Sequence, residues 1–195
     1  MKNLSPETII ETVLKNNPKA NVELIRKAFD FASEIHEGQH RSVEDKPYFI
    51  HPYRSALYLA NEVRVGDAEN IVIALLHDTY EDGPEGTGER ILEQFGKFIY
   101  DSVLALSKTK EPSIDKTKMR REYYRKIKSL PRSLIQIKLS DRLDNLRAVH
   151  KNKKRRLIKE TMEHLYPLAE KYFPKIAKDI LTIMEDEHDE HSDIF

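Results

Sequence analysis

Cysteine and tryptophan are absent from this 195-residue chain, and glycine occurs only six times against nine prolines. Without cysteine there is no disulfide scaffold, no thiol nucleophile, no zinc finger and no iron–sulfur cluster. So few glycines argue against a glycine-rich phosphate loop and against a turn-dense β-barrel. Net charge is missing too, since 33 Lys and Arg balance 33 Asp and Glu. That balance argues against a generally basic nucleic-acid binder and a polyanionic tail protein, while leaving room for a local basic patch. No apolar run approaches the roughly 20 residues of a membrane span. Pro6 and Glu7 stand where a signal peptide needs its apolar stretch, so the expectation is a cytoplasmic protein with no membrane or nucleic-acid partner.

What remains is 39% apolar and 34% charged residues, the balance of a real core under a heavily charged surface. The length suits one domain, and residues 1–195 are expected to form it. The periodicity is helical nearly throughout and predicts an all-α fold of about nine helices joined by short connections. Ser5-Pro6-Glu7 opens the first helix with a capping hydroxyl, a proline at the first helical position and an acid near the positive dipole end. A second helix runs from about Ala20 to His36, with Leu24, Ala28, Phe31, Ala32 and Ile35 on one face, and the polar stretch from Gly38 to Pro47 reads as a loop. A third begins near His51-Pro52, and Gly66-Asp67 stops it and caps the next. Two short helices meet at Gly96. A polar stretch from Lys108 to Lys118 leads into a charged helix from Met119 to Ser129, a stronger one from Pro131 to His150, a helical run from Lys151 to Phe173, and a last helix begun by Pro174.

The segment from Ile71 to Asp82 carries the chemistry. Ile71 to Leu76 is apolar on every side, which predicts a helix buried all round. It delivers His77 and Asp78 side by side, then Glu81 and Asp82 four residues later. At that helical spacing His77 stacks beneath Glu81 and Asp78 beneath Asp82. Carboxylates packed so closely repel one another and are costly to desolvate without a positive partner, for which a divalent metal is the simplest choice. Two further ligand candidates are His51, just before Pro52, and Asp141, on a stripe of Leu134, Ile137, Asp141 and Asn145 that turns polar partway along. Two imidazoles with two carboxylates suit Mn²⁺, Fe²⁺ or Zn²⁺ better than Mg²⁺ or Ca²⁺.

In the order His51-Pro52, His77-Asp78, Asp141 the chain resembles the HD phosphohydrolase superfamily, and more closely the hydrolase domain of Rel/Spo alarmone enzymes and the stand-alone small alarmone hydrolases. The matching stretches are ASEIHEGQHR from Ala32, PYFIHP from Pro47, ALLHDTYED from Ala74, Gln94-Phe95-Gly96, KLSDRLDNLR from Lys138 and KETMEHLYPLA from Lys159, spread over about residues 21–173. The resemblance implies a single HD-type helical domain with a central metal cleft. It also implies a manganese-dependent hydrolase that takes pyrophosphate from the 3′ position of guanosine tetra- or pentaphosphate. His51, His77, Asp78 and Asp141 would hold the metal. Glu81 and Asp82 would orient or deprotonate the attacking water and manage the proton at the leaving oxygen. Arg41, in a Gln-x-Arg position, would steady the substrate, and Asn145 would contact its nucleoside side.

The chain departs from that pattern at Ser42, where many relatives carry a second basic residue, at Asp144, where the motif often has His, and at Leu165-Tyr166-Pro167, where Tyr-Ala-Pro is frequent. Two alternatives therefore stand beside the alarmone: another nucleotide or dinucleotide phosphate as substrate, or a non-catalytic nucleotide sensor. Other features read as plain structure. His36 and His40 are expected at the surface. The run KNKKRR from Lys151 is expected on a solvated helix face. The acidic tail at 185–195 is expected to fray, and Met162 and Met184 are expected to fill core.

Overall fold

The computed structural model describes residues 4–41, 46–108, 115–148 and 151–192, for 151–153 and 186–192 the backbone only. Ser42 and His150 lie outside the described residues, as do most side chains of the acidic tail. Among the described residues every regular element is helical: α1 (Pro6–Asn16), α2 (Val22–Ile35), α3 (Ile50–Asn61), α4 (Ala68–Leu76), α5 (Thr79–Asp82), α6 (Thr87–Leu106), α7 (Lys116–Ser129), α8 (Arg132–Ala148), α9 (Lys151–Glu160), a π turn (Thr161–Leu165), α10 (Tyr166–Tyr172) and α11 (Pro174–Ser192). The expected all-α fold is what forms.

Local signals set most of these ends. Ser5 caps α1 by accepting from the Glu7 amide, with Pro6 in the first turn. Asp67 caps α4 through the Asn70 amide at 2.9 Å. Gly96 takes φ 80° and ψ 171° inside α6, a conformation open to glycine alone, and so splits the expected pair of helices into two arms of one kinked element. The helical run from Lys151 holds a π turn that the periodicity did not announce. Pro167 has no amide to give a carbonyl one turn back, and the Tyr166 amide instead reaches Thr161 O, five residues behind.

The core is built around α4, whose residues from Ile71 to Leu76 are all fully buried. It packs against α2, α3, α6 and α8, and each of its large aliphatic side chains contributes roughly 1.5–3 kcal/mol by leaving water. The α2 face differs from expectation by one position: Ile25 is fully buried and Leu24 only partly so. A larger correction concerns α8. In place of a narrow core-facing stripe it is buried nearly all round, with Lys138, Asp141, Arg142 and Asp144 among its buried residues, because α3, α4, α6, α10 and α11 all pack on it. Four charged side chains of one helix are buried, which requires them to be paired. His36 is also a correction: it is buried, with Nδ1 2.8 Å from Gln39 Oε1 and its ring against Tyr48, while His40 is exposed as expected. Met162 is exposed rather than core, and Met184 is half-buried against it.

Candidate metal centre

The helix carrying His77 and Asp78 does not run on. α4 ends at Leu76, His77 and Asp78 form a turn, and α5 is a single turn after it. Side chains intercept the carbonyls that the next amides would have taken. His77 Nδ1 lies 2.7 Å from Ala74 O, and Thr79 Oγ1 donates to Leu76 O at 2.7 Å. The expected stacking of His77 beneath Glu81 is thereby replaced by a corner that turns His77 and Asp78 inward.

That corner meets α3 and α8. Single donor atoms of His51, His77 and Asp78 lie within 4.8 Å of one another. Asp78 Oδ2 is 3.3 Å from His77 Nε2 and 3.4 Å from His51 Nε2. Asp141 Oδ1 is 3.0 Å from His51 Nε2 and 3.8 Å from His77 Nε2. The four residues named from the sequence are thus brought together from three separate elements. Neighbouring donors around a six-coordinate ion with bonds of about 2.1 Å lie roughly 3 Å apart, and opposite ones roughly 4.2 Å, so these separations fit one ion. A second observation agrees. His77 Nε2 is buried without a hydrogen-bond partner among the described residues. Nδ1 is committed to Ala74 O, so Nε2 is the nitrogen left facing the cage.

The surroundings hold each ligand. Tyr48 donates its hydroxyl to Asp78 Oδ2 at 2.8 Å and stands 3.2 Å from Asp82 Oδ2. His51 Nδ1 is 2.7 Å from Asp144 Oδ2. Lys138 pairs with Asp141 Oδ2, and Asn145 Nδ2 donates to Asp141 Oδ1. The lysine sits on the oxygen turned away from the imidazoles, so the pair braces the cage without closing it.

Electrostatics follow from the packing. Burial pulls the His51 pKa down, but hydrogen bonds with Asp141 and Asp144 outweigh it and push it up to about 9. Burial likewise opposes charge on Asp78 and Asp141, yet His77 beside the first and Lys138 beside the second hold both well below the usual carboxylate range. Burial and the Asp78 charge drive the Tyr48 phenol far up, so it serves as a hydrogen donor.

The cage opens on a cleft of about 820 Å³ lined on the near side by Tyr48, Asp78, Glu81, Asp82 and Asn145. Glu81 Oε2 accepts from the Lys108 amide at 3.0 Å, with Lys108 Nζ 3.5 Å from Oε1. Arg41 is placed differently from the other expected residues. Its Nη1 donates to Asp144 Oδ2 at 2.5 Å and its Nη2 to Asn145 Oδ1 at 3.0 Å.

Several contributors went unread in the sequence. Lys108, Lys126 and Lys138 all place their ammonium groups within 5.7 Å of the Tyr123 ring centre, on the cleft wall. Farther along, Arg142 Nη2 donates to Tyr124 at 2.7 Å. Arg156, from the basic run expected on a solvated face, also lines the cleft. For Lys138 a signal existed, since it precedes Asp141 by three residues; for Lys108 and Lys126 nothing local marks them. This is the basic patch that a neutral net charge concealed.

Known proteins resemble this chain in sequence and fold. The HD domain family matches residues 28–172. A guanosine-3′,5′-bis(diphosphate) 3′-pyrophosphohydrolase of Aquifex aeolicus is 39% identical over 85% of this chain and 24% of its own length. The bifunctional (p)ppGpp synthase/hydrolase SpoT of Escherichia coli is 36% identical over 83% of this chain and 23% of its own length. The chain therefore spans about a quarter of these curated relatives. A solved structure of a metazoan ortholog of SpoT that hydrolyzes ppGpp superposes with a TM-score of 0.72, covering 83% of this chain and 94% of that one at 20% identity, which shows a common fold.

Proposed function

This chain belongs to the HD domain family, and from that premise we propose that it hydrolyses guanosine tetra- or pentaphosphate, releasing pyrophosphate from the 3′ position. The observation that carries the proposal is the cage of His51, His77, Asp78 and Asp141 opening on a cleft whose wall gathers three lysine ammonium groups around Tyr123. The naming of relatives at 36–39% identity as enzymes of this substrate supports it.

His51, His77, Asp78 and Asp141 would hold a divalent ion, and mixed imidazole and carboxylate donors make Mn²⁺ our choice. Such an ion lowers the pKa of a water it holds and offsets charge on phosphoryl oxygens. Everything else falls to the chain. Glu81 and Asp82 sit on the turn beside the cage and take the proton of the attacking water, returning one to the ribose 3′ oxygen as its bond to phosphorus breaks. Lys108 and Lys126 offset the charge of the departing pyrophosphate, which is mainly what phosphoryl transfer asks of a protein. Arg41 and Asn145 frame the nucleoside side. A cytoplasmic setting belongs to the same proposal.

A second reading has its own observation. Asp144 holds Arg41, so the base side differs from the pattern the chain resembles, and another nucleotide phosphate ester is the alternative substrate. Purified protein incubated with guanosine tetraphosphate and Mn²⁺ should yield GDP and pyrophosphate in equal amounts by ion-exchange chromatography, with no product in EDTA. No GDP while a different nucleotide of a panel turns over overturns the alarmone assignment in favour of the second reading. Tight binding of guanosine tetraphosphate without turnover of any nucleotide overturns catalysis and leaves a sensor.

A further inference from the structure

The buried carboxylate of Asp144 belongs neither to the cage nor to the cleft chemistry described above, and it stands where the motif that the chain resembles often has histidine. It is 5% exposed. Its Oδ2 accepts from His51 Nδ1 at 2.7 Å and from Arg41 Nη1 at 2.5 Å, and Arg54 Nη1 is 3.6 Å from Oδ1. Arg41 in turn bonds Asn145, whose amide donates to Asp141. One guanidinium is therefore joined, through one residue each, to His51 on α3 and Asp141 on α8.

We propose that Asp144, backed by Arg41, is a positioning residue that fixes the His51 ring so that Nε2 faces the cage, and that it thereby sets the affinity of the site for its metal. The inference rests on the metal reading above. A ligating imidazole needs its other nitrogen protonated and held by an acceptor. For His77 that acceptor is the backbone carbonyl of Ala74; for His51 it is the Asp144 carboxylate. The substitution matters because of what each side chain can accept. A carboxylate takes hydrogen bonds from the imidazole and the guanidinium together, whereas a neutral histidine has one acceptor nitrogen and can serve only one of them. The negative charge also makes His51 the more electron-rich of the two imidazoles, and two nearby guanidinium groups, Arg41 and Arg54, keep that buried charge tolerable.

The test measures Mn²⁺ affinity of the full chain by electron paramagnetic resonance, with thermal melts in EDTA as a fold control. Asp144→Asn and Asp144→His are expected to weaken Mn²⁺ binding roughly 10–100-fold. Arg41→Gln should shift it in the same direction by less. Wild-type affinity in Asp144→Asn overturns the inference. Should the Asp144 variants not fold, the ring nitrogens of His51 in the zinc-loaded wild-type protein decide it by ¹⁵N NMR. A protonated Nδ1 with a strongly hydrogen-bonded proton supports the proposal, and a protonated Nε2 overturns it. Wild-type protein that binds neither Mn²⁺ nor Zn²⁺ removes the metal reading itself, a failure distinct from unaltered binding in the variant.

Discussion

Lys138 and Asp141 stand one helical turn apart on α8, and the ammonium of the first rests on Oδ2 of the second while Oδ1 faces both imidazoles. Both are buried. A cation placed permanently behind a candidate ligand lets the carboxylate stay ionised in the core and directs its other oxygen to the cage.

Replacing Lys138 by Met should therefore destabilise the metal-free protein, by about 3–5 kcal/mol, as breaking a buried pair usually does. The charge left on Asp141 then depends on a bound ion, so added Mn²⁺ should raise the melting temperature more in Lys138→Met than in wild type. Differential scanning fluorimetry with Mn²⁺ and with EDTA reads both effects. Equal metal-induced shifts in the two proteins would show that the lysine does not share the carboxylate with the site.

The cage and the acids proposed to handle the water should separate on mutation. Asp78→Ala or Asp141→Ala should abolish metal binding and turnover together. Glu81→Gln should keep the metal and slow turnover roughly 10²-fold or more. Calorimetric metal titration beside a product assay distinguishes them, and an unchanged rate in Glu81→Gln removes that residue from the chemistry.

Tyr48 joins Asp78 to Asp82 through one hydroxyl. Tyr48→Phe keeps the ring against His36 and deletes only that bridge. We expect metal affinity to fall by about 10-fold, the lower end for a group that orients a ligand, with the melting temperature in EDTA little changed. Loss of folded protein instead would mean that the hydroxyl matters to the core rather than to Asp78.

Far from the cage, Asp179 accepts from Tyr58 at 2.6 Å and pairs with Lys175 at 2.8 Å. Burial opposes its charge, but these partners hold its pKa below the ordinary value. A carboxyl lowered in the folded state contributes stability above its unfolded pKa of about 3.9 and loses it as pH falls through the folded value. Urea unfolding of wild type and Asp179→Asn should therefore differ most near neutral pH and converge under acid. Parallel pH profiles would contradict the assignment.

Much of the fold could be read locally. The caps at Ser5 and Asp67, the buried run of α4 and the break at Gly96 depend on a few consecutive residues, because helix ends and backbone conformations are short-range matters. The candidate metal ligands were legible for another reason: His51, His77-Asp78 and Asp141 each sit in a recognisable stretch. The π turn was harder, since Pro167 signals a disturbed hydrogen-bond register without saying how the helix absorbs it.

The sequence by itself determined an all-helical chain, the identity of four candidate metal ligands and the acids beside them. Tertiary structure alone decided how charges pair: Arg41 with Asp144, 103 residues away, Tyr48 with Asp78, and three lysines from α7, α8 and the segment just after α6 around Tyr123. The physical reason is range. Helical period and capping act within a turn or two of chain, whereas the worth of a charge depends on which groups from distant segments share its burial, and a composition of equal positive and negative residues is silent on that.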